Sequence, residues 1–240
     1  MFALAGCGSG SAADGDESAD TARVQLVITK SDREGRLIMS GAYDYRRREG
    51  VITTTLEGTP AAEADTPTET RIFGTRFYSK DESAAKWVVD TEDVGIGHLD
   101  TEMVPFPGSE LDPKESLAAI LSAGDEVEVG EEEVRGTKTT HYRVTLDPES
   151  FSKELGSRPL DDESGPMTVD VWGDDVGRMR RIRMLEETAT LTYEFFDFGV
   201  EVDVEEPPSD QVVTAKELGQ VPKRGVCEPP RQCLEVGRGK

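Results

Sequence analysis

Few residues in this chain have the types and spacing that chemistry requires. His98 and His141 stand far apart and lack metal-ligand spacing. His141 alternates with the apolar residues of its own segment, which predicts a solvated strand position. Asp174-Asp175 suggests acid/base or calcium chemistry. However, it lies in the turn Gly173–Gly177, where aspartate is common for conformational reasons, and it lacks the alternating spacing of a calcium loop. Asp161-Asp162-Glu163 reads as a solvated loop. Arg178, Arg180, Arg181 and Arg183 form a basic cluster. It could meet an anionic headgroup, but cross-strand pairing with carboxylates fits better. No G-x-S-x-G elbow, phosphate-binding loop or G-x-G-x-x-G precedes a helix. The sequence therefore predicts no catalytic residue, no cofactor and no metal.

Composition narrows the partners. The net charge is −22 over 240 residues, which argues against nucleic acid and against electrostatic binding to anionic lipid surfaces. An apolar fraction of 35% makes a thin core for this length and suits one curved sheet better than a thick sandwich. Nothing in the middle reads as a linker between domains.

The elements are organised around Asp112–Asp147. Asp112 can N-cap a helix, with Pro113 at its first position and Glu115 closing a capping box. Leu117, Ile120 and Leu121 share one face, and Gly124 is placed for a left-handed C-terminal cap. An acidic segment follows, and after Gly136 the period changes to two: Tyr142, Val144 and Leu146 alternate with His141, Arg143 and Thr145. Asp147 caps a second short helix carrying Phe151 and Leu155 and ending at Gly156. Before this region the chain reads as an antiparallel meander: Val24/Leu26/Ile28, then Leu37/Met39/Gly41/Tyr43/Tyr45, then Val51 to Leu56. Arg71, Phe73, Thr75 and Phe77 are expected on one face, with Ile72, Gly74 and Tyr78 on the other. Trp87-Val88-Val89 reads as a buried or edge strand. The long connection Thr91–Leu111 would lie across the mouth of a half-open barrel. Later strands are expected at Met167/Val169/Val171, at Met179/Ile182/Met184 with a bulge where the parity breaks, at Ala189–Phe195, and at Val200/Val202/Val204 up to Pro207-Pro208.

Taken in order, Asp112-Pro113, Thr140-His141-Tyr142 through Leu146-Asp147, MTVDVWGDDVGRMRRIRM (167–184) and FGVEVDVEEPPSDQVV (198–213) resemble the LppX/LprG-type lipoproteins of actinobacteria, within the LolA-like group. The resemblance spans residues 24–213. It implies a mainly β (α+β) fold, a single curled antiparallel sheet forming a LolA-like incomplete β-barrel that encloses short helices. It also implies a hydrophobic cavity that carries or presents a lipid or acylated glycolipid. A cell-envelope scaffold of the same fold with a filled face is the alternative.

Leu4-Ala5-Gly6-Cys7 resembles a lipobox, in which the cysteine is acylated and becomes the first mature residue. A Gly/Ser/Ala/Asp run follows with the composition of a tether. Only Phe2 to Ala5 precede the site, fewer apolar residues than a signal peptide uses, so Met1 would be internal to the signal or the LAGC fortuitous. Lipidation would hold the chain on the extracytoplasmic face of the cell membrane by acyl chains alone. Cys227 and Cys233 would pair in an exported protein, at roughly 2 kcal/mol for so short a loop, or remain free thiols in a frayed tail. The expected division is residues 1–22 as signal remnant, lipobox and tether, 23–213 as the half-barrel and 214–240 as the tail, in a monomer.

The ligand site follows from the helix lying on a concave sheet. The helix offers Leu117, Ile120 and Leu121, while the sheet offers Leu37, Met39, Tyr43, Phe73, Phe77, Tyr142, Val144, Leu191 and Tyr193. A thin apolar composition predicts a gap beside the helix, and a gap so lined stays dry and attracts acyl chains. Met39, Met103, Met167, Met179 and Met184 would make its wall adaptable.

Overall fold

The computed structural model describes residues 20–31, 34–58, 66–81, 84–91, 111–154, 165–185, 188–214 and 217. Cys7 and its tether, His98, Met103, the connection after Thr91, Asp161-Asp162-Glu163, Leu155-Gly156 and the Cys227–Cys233 tail lie outside the described residues.

The chain is mostly β, a single curled and unclosed sheet with few helices. Its strands are β1 (Thr21–Lys30), β2 (Arg36–Asp44), β3 (Glu49–Glu57), β4 (Thr68–Phe73), β5 (Arg76–Asp81), β6 (Trp87–Thr91), β7 (Asp125–Val134), β8 (Thr137–Leu146), β9 (Met167–Gly173), β10 (Met179–Leu185), β11 (Ala189–Phe196) and β12 (Val212–Thr214). Helices α1 (Ser116–Ala123) and α2 (Pro148–Glu154) complete it. The spatial order is β12-β6-β5-β4-β3-β2-β1-β11-β10-β9-β8-β7. Two meanders therefore meet where β1 pairs antiparallel with β11, Leu26 opposite Tyr193 and Ile28 opposite Leu191.

Period-two patterning makes this sheet. Along β11, Ala189, Leu191, Tyr193 and Phe195 are buried and the residues between them are not. The matching residues of β1, Ala22, Val24, Leu26 and Ile28, join the same core. The face that carries this core is the inner face. Turns set the register: Arg135 (φ 48°) and Gly136 (φ 80°) form a two-residue turn with both φ positive between β7 and β8, the geometry whose twist matches a hairpin. The register shift between Met179 and Arg181 is the bulge expected from the parity break.

Four local expectations are corrected, and one open alternative, at β6, is decided. The acidic segment before Gly136 is a full strand, β7, paired with β8. Phe73 and Phe77 do not share a face, because Gly74 (φ 61°) and Thr75 turn the chain and bring Phe77 opposite Ile72, while Phe73 lies opposite Arg76. Phe73 is thus on the outer face, its ring edge-on to Tyr78 at 6.0 Å. Residues 200–208 form no strand: β11 is already flanked by β1 and β10, so no free edge lies beside them. They are held instead by Arg71, whose Nη1 donates to the Glu205 carbonyl at 2.9 Å, and by the Arg76–Glu206 ion pair. The chain then adds β12 parallel to β6, so β6 is an interior strand.

The last correction concerns α1, which begins at Ser116 after a separate turn. Asp112 does cap that turn, accepting the Lys114 amide at 2.8 Å, but Glu115 makes no side-chain cap. The Pro113 carbonyl is taken by the Met179 amide at 2.7 Å, which ties the turn to the sheet and not to the helix. Gly124 is extended (φ −134°) and not left-handed. Its lack of a side chain is used for close approach, since a Cβ there would stand 2.5 Å from the Thr145 carbonyl. Asp147 caps α2 as expected, accepting from the Ser150 amide at 2.9 Å.

Candidate functional site

Two sets of side chains stand on opposite faces of the sheet. On the inner face Met39, Tyr43, Leu117, Ile120, Val144, Leu191 and Tyr193 are buried in one apolar cluster, with Leu37, Phe77, Leu121 and Tyr142 partly buried against it. All were expected to line a cavity, and the fold brings them together. Phe73, expected with them, is not among them.

Helix α1 is seated by close fit. Leu117 Cδ2 would lie only 2.4 Å from a Cβ on Gly173, so the glycine of β9 is the seat of the leucine. Burial pushes the Tyr43 phenol up to about 12, against the pull of nearby Arg48, and holds Tyr193 and Tyr45 well above the usual tyrosine range. These three phenols are therefore neutral at any physiological pH. The Tyr45 hydroxyl is buried there without a hydrogen-bond partner among the described residues. The expected gap beside α1 is not found among the described residues. A shallow, open concavity of about 360 Å³ lies instead at Thr29, Gly35, Arg36, Glu57 and Gly58, and none of the expected lining residues borders it.

The outer face holds what sequence reasoning missed. His141 is 4% exposed, contrary to the expected solvated position. Its ring stacks on Trp172 at 4.2 Å and 13°. Its Nδ1 and Nε2 reach Glu132 at 3.1 Å and Asp170 at 2.9 Å. Asp170 also accepts from Arg143 Nε at 3.0 Å and Arg183 Nη2 at 2.9 Å. The Trp172 indole donates to Glu132 at 2.9 Å, and Arg181 and Arg183 lie over its ring at 5.3 and 5.4 Å. Next along the sheet, Glu194 accepts from Arg135 at 2.6 Å and Arg181 at 2.8 Å.

Burial alone would raise the Asp170 and Glu194 carboxyls. Hydrogen bonds from Arg183, His141 and Arg143 to the first, and from Arg135 and Arg181 to the second, outweigh it and lower both. At the β9–β10 turn Asp174 accepts from Arg178 Nε at 3.0 Å and Arg180 Nε at 2.7 Å, and both guanidinium groups cover Phe198. The basic cluster is thus spent on cross-strand carboxylates, as its sequence context suggested. Parity places His141, Asp170, Trp172, Arg181 and Arg183 together on the face opposite the apolar residues, and the unread signal was that these side chains can bury one another. Chemically this lattice cross-links strands, because each of its charges faces a partner. Among the described residues no group of three or more His, Cys, Asp or Glu could hold a metal ion. No helix among them is long and apolar enough to cross a membrane.

The class is thus a mainly β chain built on one curled, unclosed sheet with few helices. Residues 16–204 match the family model of the LppX_LprAFG lipoproteins, and the chain belongs to that family. A candidate lipoprotein of Streptomyces coelicolor is 29% identical over 225 residues, covering 83% of this chain and 71% of that protein. An uncharacterized 31.2 kDa protein of Streptomyces griseus is 28% identical over 121 residues, covering 44% of this chain, which spans only 40% of that protein's length. Among solved structures, that of LprF from Mycobacterium bovis superposes with a TM-score of 0.54 at 14% identity, covering 80% of this chain and 91% of LprF. That likeness concerns the fold alone.

Proposed function

We propose that this protein is an exported lipoprotein, acylated at Cys7 and held on the extracytoplasmic face of the cell membrane, whose inner face takes up the acyl chains of a lipid or acylated glycolipid. The observation that carries this reading is the extent of the inner apolar face. It runs from Ile72 on β4 to Val144 on β8, yet α1, with eight residues, buries only Leu117 and Ile120 as apolar side chains. A short element with two buried apolar side chains, and Leu121 and Ala123 only partly buried, costs little to displace, and each methylene of an entering chain contributes about 0.8 kcal/mol. The neutral tyrosines impose no charge on the ligand. Family membership supports the lipoprotein part of the reading. Cys227 and Cys233 would form the disulfide of such an exported chain.

The test is binding of a fluorescent fatty-acid analogue. The wild-type chain should bind it, and Leu117→Trp, which overfills the seat at Gly173, should weaken binding while the far-ultraviolet dichroism stays β-like. Cys7→Ala should release the chain from the membrane fraction. No binding by the wild type would refute the carrier role.

A second reading, the envelope scaffold with a filled core, is favoured by one observation: the expected gap beside α1 is closed among the described residues. It would take the place of the carrier reading if neither the analogue nor extracted lipid is found.

A further inference from the structure

Strand β7 is a sheet edge of unusual make-up. It pairs with β8 on one side, and among the described residues it has no partner on the other. Alternate residues of such an edge direct their N–H and C=O groups outward, unpaired. Val127 and Val129 are 62% and 51% exposed, large values for apolar residues in this chain. The flanking side chains are carboxylates. Glu126 and Glu128 stand opposite Val144 and Tyr142 on the inner side, and Glu131 and Glu133 stand opposite Thr140 and Lys138 beyond the bulge. Lys138 pairs with Glu131 at 2.6 Å, and Glu132 is committed to His141 and Trp172. Asp125, Glu126, Glu128 and Glu133 make no ion pair among the described residues.

We propose that the β7 edge is a docking surface for a basic extended segment of another protein, which adds as a further strand. The backbone groups supply the pairing, Val127 and Val129 supply apolar contact, and the carboxylates choose the sign of the partner. The same charges exclude a second copy of this chain. Two β7 strands placed side by side would set rows of glutamate against each other, and like charges directly across a strand pair are destabilising. The matching segment carries Lys or Arg at every second position, with small or β-branched residues between. This inference is independent of the lipid reading, since β7 belongs to the rim and not to the core.

A peptide of alternating Lys and Val or Thr, about nine residues long, tests it by calorimetry against the full chain at low and moderate salt. Three results are expected. The peptide binds, and binding weakens with salt. N-methylation of alternate peptide amides, which leaves charge intact, lowers affinity tenfold or more. Glu126→Lys/Glu128→Lys lowers it by a similar factor. Equal affinity of the N-methylated peptide would reduce the contact to charge alone and overturn strand addition. Undiminished binding by the charge-reversed variant, or no binding by the wild type, would overturn the site. Should that variant misfold, hydrogen exchange on the wild type decides. Slowing confined to 125–134 on adding peptide supports the proposal, and unchanged or diffuse slowing overturns it. A dimer that depends on β7 in sedimentation of the chain alone would also overturn it.

Discussion

Across β8–β11 the two faces of the sheet bury side chains by different means. Inside, Val144, Val169, Val171, Ile182 and Leu191 exclude water by apolar packing, which is undirected and tolerates rearrangement. Outside, Asp170, His141 and Trp172 are just as inaccessible, yet each atom is committed by direction and distance. The difference assigns roles. A packed apolar face can exchange one hydrocarbon surface for another, whereas a lattice of charges can only hold or break. The outer face thus fixes the register of the strands, and the inner face is free to adapt.

Substitutions sharpen this contrast. Leu26, at the join of the two meanders and fully buried, should cost most: Leu26→Ala is expected to lower stability by about 4 kcal/mol in urea unfolding, through transfer and cavity terms together. Asp170→Ala should cost about 3 kcal/mol, because His141 is left buried beside Glu132 alone while the half-exposed Arg143 can turn to water. The contrast would break if Asp170→Ala proved neutral, since the outer face would then be ordinary surface. Gly173→Ala should cost about 2 kcal/mol by driving a Cβ into Leu117, and should also loosen α1, seen as faster amide exchange over 116–123.

The smallest effect expected is acid sensitivity. Asp170 and Glu194 have folded-state pKa values below those of the unfolded chain. Their contribution is complete above the ordinary carboxylate range of about 4 and is lost as pH falls through the lowered values. Urea midpoints measured from pH 6 to pH 2 should therefore fall, and Asp170→Asn should flatten the slope. An unchanged slope in that variant would remove Asp170 from the account.

Much of this was legible in the residues because the sheet obeys one alternation over long stretches. Val24, Leu26 and Ile28, Tyr193 and Phe195, and the break at Met179 all read directly as strand faces and a bulge. The failures have physical causes. Phe73 was placed on the wrong face because a two-residue turn at Gly74-Thr75 is invisible to a period that continues through it. The strand character of β7 was hidden by glutamates, which are poor strand formers but serve an edge. Val200, Val202 and Val204 alternate as a strand would, but pairing needs a free neighbour, which no local pattern records. His141 read as solvated because polarity was equated with exposure, whereas Trp172 and the surrounding arginines roof it over.

Lipid uptake by the inner face is most directly tested by mass spectrometry of the Cys7→Ala chain purified from its own host without detergent. That variant lacks the proposed acylation site, so an acyl chain found on it is read as cargo. An acyl-bearing lipid should co-purify at about one per chain and be lost on Leu117→Trp. A lipid-free mass for the wild-type inner face, with the fold intact, would contradict it.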